Sequence, residues 1–224
     1  MGVEIRESPV SDEEFAKMER FVHDYLSASV ATESDGGRMR WYPWHSAEYR
    51  FNHIRNVVDL AATIAEREGA NVDITRVAAL FHDVAKLEVE QDRHADAGAR
   101  IAREYLETQT DYPASFIDQV CRAIRDHSYQ GEVTDVTLET QCLIEADILD
   151  KIGANGAVLI LLRMGYESRT HMDAAEMVGR VLERGEEAEE RVRSQTAADI
   201  AERRLKRVQW FKEWLEGEIA GVDT

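Results

Sequence analysis

The chain has 224 residues, 44% of them hydrophobic and 32% charged, which is apolar material for a buried core and length for one domain with appendages. A disordered tail and a fibre are excluded on that composition. With 27 basic against 44 acidic side chains the formal net charge is −17, which repels phosphate backbones and anionic lipid except where local cations reverse it, so a nucleic-acid coat and a membrane binder are disfavoured.

The opening stretch MGVEIRESPVSDEEF is too acidic for a signal peptide. The longest apolar run, Ala157 to Leu162, stops at Arg163, far short of the ~20 residues that span a bilayer. A cytoplasmic protein is expected. Cys121 and Cys142 lack C-x-x-C spacing and fall inside helical patterns, so buried free thiols are expected.

Prolines occur only at 9, 43 and 113, and apolar residues recur at three- and four-residue spacing, which predicts an all-α chain forming a single domain over 1–224. A first helix is expected over 12–29, with Ser11 as N-cap and Glu14 completing a capping box. A loop follows over 31–46, then a helix over 48–68 closed by Gly69. Asn71 or Asp73 is placed to cap the next helix, which carries Val77, Ala78, Leu80 and Phe81 and ends near Lys86. Further helices are expected over 94–106, 115–127 and 138–152, then a short apolar one over 158–164. Two long charged helices, 174–194 and 197–219, keep apolar stripes for packing on the core or on each other. The charge run 186–193 reads as a solvated helix face.

Seven histidines occur, and four stand in distinctive surroundings: His53 in FNHIRNV, His82 in ALFHDVAK, His94 in RHADAGA and His127 in AIRDHS. The pair His82-Asp83 closes an apolar helix, where burying a charged couple beside Leu80 and Phe81 demands a partner, a divalent cation being one. His53 opens one helix and His82 ends the next, so antiparallel packing brings them to one end of the hairpin. Unequal helix lengths leave an offset of about 9 Å at ~1.5 Å per residue, requiring the helices to cross or slide. Asp147, among Leu143, Ile144, Ile148 and Leu149, calls for a cation, a hydrogen-bond network or solvent. Singly, each residue reads as a satisfied core histidine or an exposed aspartate.

Together they form an ordered set: N-H-I-x-x-V at 52–57, A-A-L-F-H-D-V-A-K at 78–86, H-x-x-x-G-A at 94–99, A-I-R-x-H-S at 123–128 and E-A-D-x-L-D-x-I-G at 145–153. Over about 48–156 the chain thereby resembles the HD-domain superfamily of metal-dependent phosphohydrolases. The resemblance implies an all-α HD-domain helical bundle, here with additional long C-terminal helices. It also implies one divalent ion held by His53, His82, Asp83 and Asp147, and hydrolysis of a phosphate ester or anhydride by attack of a metal-bound hydroxide. Two imidazoles and two carboxylates suit Mn²⁺, Fe²⁺, Co²⁺, Ni²⁺ or Mg²⁺ better than the thiolate sets of structural zinc.

Asp83 and Lys86 are the expected catalytic residues. Lys86 follows Asp83 by three and His82 by four, on a face that meets an incoming phosphate. Arg50 and Asn56, at minus three and plus three from His53, are substrate-binding candidates, whereas Arg55 points away; Asp150 and Lys151 stand in a like relation to Asp147. The resemblance gives His94 and His127 two roles, phosphate-facing polar groups or ligands of a second ion. Gly98, one turn after His94, leaves the backbone open to a ligand. His23, His45 and His171 are read as surface or core residues. The segment Trp41-Tyr42-Pro43-Trp44 could stack on a base but more simply packs on the first helix.

The leading expectation is a phosphohydrolase acting on a nucleotide or similar small phosphorylated metabolite. A di-iron HD-fold oxygenase is one alternative, and it requires His94 and His127 as ligands. A non-catalytic nucleotide-binding sensor is another, with the C-terminal helices as a homo-oligomer or partner surface. No glycine-rich phosphate loop accompanies the histidines, so phosphate recognition falls to the metal and scattered basic residues. Substrate choice then rests with loops 31–47 and 128–137.

Overall fold

The structure is a computed structural model and describes residues 10–32, 46–128, 136–167 and 173–222. Among them lie nine helices and no strand: α1 (Asp12–Thr32), α2 (Ala47–Glu68), α3 (Val72–Phe81), α4 (His94–Gln109), α5 (Ala114–Asp126), α6 (Leu138–Asp150), α7 (Gly153–Glu167), α8 (Ala174–Glu189) and α9 (Gln195–Ile219). The segment Trp41 to Trp44, His45, His171 and most of the two loops assigned to substrate choice lie outside the described residues. Among the described residues no helix is long and apolar enough to cross a membrane.

Local signals set most helix starts. At α1 the Ser11 hydroxyl accepts from the Glu14 amide at 3.3 Å, while the Glu14 carboxylate accepts from the Ser11 amide at 3.1 Å and hydroxyl at 2.6 Å, a reciprocal capping box. Ser46 caps α2, and Gly69 closes it at φ 80, a left-handed backbone that favours glycine. Asn71 caps α3 through the Ile74 amide at 3.1 Å; Asp73 instead accepts from the Val10 amide at 3.0 Å.

Helix α3 is apolar all round its second half, with Val77, Ala78, Ala79, Leu80 and Phe81 fully buried, and it forms the centre of the bundle, touching α1, α2, α4, α5 and α6. Such a helix is stable only when neighbours cover every face. Helix α9 packs on α8, α7, α6 and α2, and a smaller cluster of Ala157, Val178, Val181 and Val208 fastens α7 and α8 to it. Cys121 and Cys142 are buried and unbridged.

Several boundaries differ from the sequence expectation, four of them beside the cluster or the C-terminal helices. Helix α3 ends at Phe81; beyond it the chain turns tightly, the Val84 amide donating to Phe81 O at 3.2 Å and the Lys86 amide to Asp83 O at 3.0 Å. Three-residue turns of this kind tighten the chain at the same periodicity as a helix end, so apolar spacing does not reveal the change. Helix α6 stops at Asp150 and α7 already starts at Gly153. Helix α8 stops at Glu189, and Ser194, expected as its last residue, instead caps α9 through the Ala197 amide at 3.2 Å.

Candidate metal centre

The bundle gathers one inward-facing cluster from five places in the sequence. His53 comes from α2, His82 and Asp83 from the turns after α3, His94 from the first residue of α4, His127 from the end of α5, and Asp147 from α6. The offset expected between His53 and His82 is absorbed by the packing, because their ring centroids lie 5.4 Å apart. One ligand atom each from His53, His82 and Asp147 fall within 4.8 Å of one another, and so do those from His82, Asp83 and His127.

Each of the four imidazoles is oriented by its Nδ1. His53 Nδ1 lies 2.7 Å from Asp150 Oδ2, His82 Nδ1 lies 2.7 Å from Ala79 O, and His94 and His127 reach Gln91 O and Ile124 O, each at 2.5 Å. Carboxylates and carbonyls accept, so each Nδ1 is the proton-bearing nitrogen and each Nε2 presents a lone pair. The Nε2 atoms then face other acceptors. His53 Nε2 is 3.3 Å from Asp147 Oδ1 and 3.7 Å from Asp83 Oδ2, His82 Nε2 is 3.7 Å from Asp83 Oδ2, and His94 Nε2 is 3.4 Å from Asp83 Oδ1 and 3.2 Å from His127 Nε2.

Lone pairs converging in a buried space repel unless a cation lies among them. His53 Nε2, His82 Nε2 and Asp147 Oδ1 are buried and have no hydrogen-bond partner, and these are the groups that could share an ion. Two imidazoles with two carboxylates fit a divalent cation of borderline hardness.

Cations hold the outer carboxylate oxygens. Arg50 Nη1 donates to Asp83 Oδ2 at 2.6 Å, Lys86 Nζ lies 3.5 Å from Asp83 Oδ1, and Lys151 Nζ donates to Asp147 Oδ2 at 2.6 Å. Burial works to raise the Asp83 carboxyl, but His82, Arg50 and Lys86 reverse it and hold it well below the carboxylate range. For Asp147 the same opposition is won by Lys151 and His53. Burial pushes His82 down to about 3 and His94 down to about 4, and lowers His127 and Lys86 as well. His53 is also pushed down by burial, yet Asp147 and Asp150 outweigh that and raise it. At neutral pH the carboxylates are therefore ionised and three imidazoles neutral, the states a metal requires.

Two expected substrate contacts are employed otherwise. The Asn56 amide donates to Asp150 Oδ1 at 3.1 Å, so it steadies the carboxylate that orients His53. At Gly98 an added Cβ would lie 3.1 Å from Phe81 O and 3.4 Å from His82 O; the glycine lets α4 approach the turn that bears His82, so the space beside it is filled by backbone of the chain itself. Arg55 is exposed, with Glu19 4.0 Å away, and His23 is a surface residue paired with Asp24 at 3.1 Å.

The cluster floors a cavity of about 540 Å³, lined by Arg50, Lys86, His94 and His127 and also by Arg163 of α7, Arg184 of α8 and Arg191 of the turn after α8. Arg191 lies in the charge run expected to be a solvated face. Sequence spacing gives no sign of these three, because their approach depends on how α7 and α8 fold back.

Residues 50–152, which include every member of the cluster, match the HD domain family. That stretch of the chain is an HD domain. YpgQ of Bacillus subtilis (strain 168), an uncharacterized protein, is 25% identical over 204 residues, 88% of this chain and 91% of YpgQ; YpgQ solved in complex with ADP superposes with a TM-score of 0.62 over 93% of this chain and 99% of that chain, at 22% identity. A protein described as a predicted HD superfamily hydrolase, from an uncultured Thermotogales bacterium, superposes with a TM-score of 0.59 at 26% identity over 89% of this chain and 91% of that one. A shorter match, 34% identical over 62 residues, is to the tRNA (cytidine(56)-2'-O)-methyltransferase of Thermoplasma volcanium; it spans 28% of this chain and 18% of that relative's length.

Proposed function

We propose that this chain, acting as one unit over its whole length, is a metal-dependent phosphohydrolase that cleaves a phosphate ester or anhydride of a nucleotide or similar small phosphorylated metabolite. The observation carrying the proposal is the set of three buried, unpartnered atoms, His53 Nε2, His82 Nε2 and Asp147 Oδ1. An HD domain with these groups, and a relative solved with ADP, support it. A divalent ion held by His53, His82, Asp83 and Asp147 would acidify a water and polarise a phosphoryl oxygen.

The chain's own groups do the rest. Asp150 and the backbone carbonyls lock the imidazole tautomers, so the ligand atoms need no rearrangement. Arg50 and Lys86 both line the cavity and touch Asp83, where they neutralise charge that develops on a phosphoryl group. Burial lowers the Lys86 pKa, and the same shielding from water strengthens the attraction of its ammonium form for an anion.

A second reading has one observation in its favour. His94 Nε2 and His127 Nε2 face each other at 3.2 Å, two acceptors that a second ion would reconcile, and a six-ligand site is what a di-iron oxygenase needs. A turnover screen separates the readings: nucleoside mono-, di- and triphosphates and cyclic nucleotides with Mn²⁺, repeated on Asp83→Ala and after EDTA. Phosphate or pyrophosphate release that is lost in the variant and in EDTA is expected. Release that persists in both removes the metal mechanism, and a coloured, iron-loaded protein that consumes oxygen without releasing phosphate favours the oxygenase.

A further inference from the structure

The cations at the metal end of the cavity are matched within the protein: Arg50 and Lys86 by Asp83, and Lys151 by Asp147. Arg184 and Arg191 line the same cavity and make no ion pair with any described residue. Arg184 lies on α8 four residues before Ala188, which also lines the cavity, and Arg191 stands in the turn just beyond the end of α8 at Glu189. The next arginine back, Arg180, lies off that lining and pairs with Glu176 at 3.7 Å. In a chain with 44 acidic against 27 basic side chains, two arginines that line a cavity with no carboxylate paired to either of them concentrate positive potential where the rest of the surface disperses negative. Both lie beyond the 50–152 HD match, on α8 and in the turn that follows it, which carry none of the candidate metal ligands. The lining also includes Ile144, Ile148, Leu159 and Ile160, an apolar surface beside the two charged regions.

We infer that Arg184 and Arg191 form an anion subsite that takes a second anionic group of the substrate, separate from the phosphoryl group at the metal ligands. The substrate class is thereby narrowed to molecules with at least two linked phosphoryl or equivalent anionic groups, because a lone phosphate fills one end of a cavity of about 540 Å³ and leaves the two arginines unmatched. Guanidinium groups suit this task through forked hydrogen bonding to phosphate oxygens. The inference rests on the phosphohydrolase reading for the identity of the first group.

The test compares AMP with α,β-methylene-ADP, which resists hydrolysis, by calorimetry at saturating Mn²⁺, on the full chain, on Arg184→Ala/Arg191→Ala, and on Arg180→Ala. Both arginines are exposed, so their truncation leaves the core intact. The unaltered chain and Arg180→Ala should bind α,β-methylene-ADP about tenfold or more tightly than AMP, and the double variant should reduce that preference to below about threefold. A preference undiminished in the double variant, or absent from the unaltered chain, overturns the subsite. A Mn²⁺ titration of the same samples keeps the two readings apart: failure of the unaltered chain to bind Mn²⁺ contradicts the metal-dependent reading, whereas intact Mn²⁺ binding with an undiminished preference in the double variant contradicts the subsite alone.

Discussion

His53 Nδ1 donates to Asp150 Oδ2 across 2.7 Å, and that contact decides which nitrogen of His53 faces the other ligands. Asp150 is buried and its second oxygen accepts from Asn56 and Asn155, each at 3.1 Å, so the carboxylate has one available orientation. Arg204, from α9, donates to Leu149 O beside it. Asp150→Ala should lower Mn²⁺ affinity about 10–100-fold, as loss of such supporting carboxylates does elsewhere. Asp150→Asn, whose carbonyl can still accept from Nδ1, should lose less. Calorimetric titration measures both, and unaltered affinity in the alanine variant would remove the positioning role.

Arg50 and Asp83 form a buried ion pair at 2.6 Å. Removing the arginine leaves the aspartate short of positive charge in the metal-free protein, and Arg50→Ala should cost about 3 kcal/mol there. A bound divalent ion compensates the same carboxylate, so the deficit in thermal midpoint should shrink when Mn²⁺ is added. Equal deficits with and without Mn²⁺ would place the ion away from Asp83.

How much of this was legible follows from what each residue depends on. Ser11, Ser46 and Asn71 act within one turn of their own helices, and the sequence discloses them. The ordered HD-type fragments pick out His53, His82, Asp83 and Asp147, which the fold then brings together with His94 and His127. Asp150 was placed by its spacing from Asp147, but its partner lies 97 positions away, a contact that no local pattern encodes. Gly98 was misread because its constraint is the backbone of another segment. Arg184 and Arg191 sit in a stretch whose charge density is indistinguishable from a solvated surface, and only the return of α8 over the cavity separates them from it.

The buried histidines set the acid limit of the metal-free fold. His82 and His94, pushed by burial to about 3 and about 4, take up protons near 6.5 once unfolded. The unfolded chain therefore binds more protons as pH drops below about 6.5, and native stability falls across that window. Asp83 and Asp147, held well below their usual range, add a loss of the same sign below about pH 4. His53 acts oppositely, since its raised pKa stabilises at low pH and that contribution fades as pH rises through the folded value. Burial lowers His127 as well, so with His82, His94 and His127 against His53 the thermal midpoint of the metal-free protein should decline steadily from pH 7 to pH 4. A flat profile over that interval would contradict the burial of neutral imidazoles.

Glu145 is fully buried on α6 and accepts from the backbone amides of Arg193 and Ser194, each at 2.8 Å, and from the Ser194 hydroxyl at 2.5 Å. It joins the helix of Asp147 to the start of α9. Glu145→Ala leaves the buried Ser194 amide and the part-buried Arg193 amide without this acceptor and should destabilise the fold by about 3 kcal/mol, with faster amide exchange at the start of α9 than elsewhere. Denaturant unfolding with hydrogen exchange checks this; unchanged protection at 193–197 would show that other contacts hold α9.

The central claim is that His53, His82, Asp83 and Asp147 share one ion. Equilibrium Mn²⁺ binding, followed by electron paramagnetic resonance on the full chain and on Asp83→Ala, tests it directly, with circular dichroism on the same samples to report folding. The unaltered chain should bind Mn²⁺ and the variant should lose that binding while keeping its helical signal. Mn²⁺ bound as tightly by folded Asp83→Ala as by the unaltered chain would contradict the account.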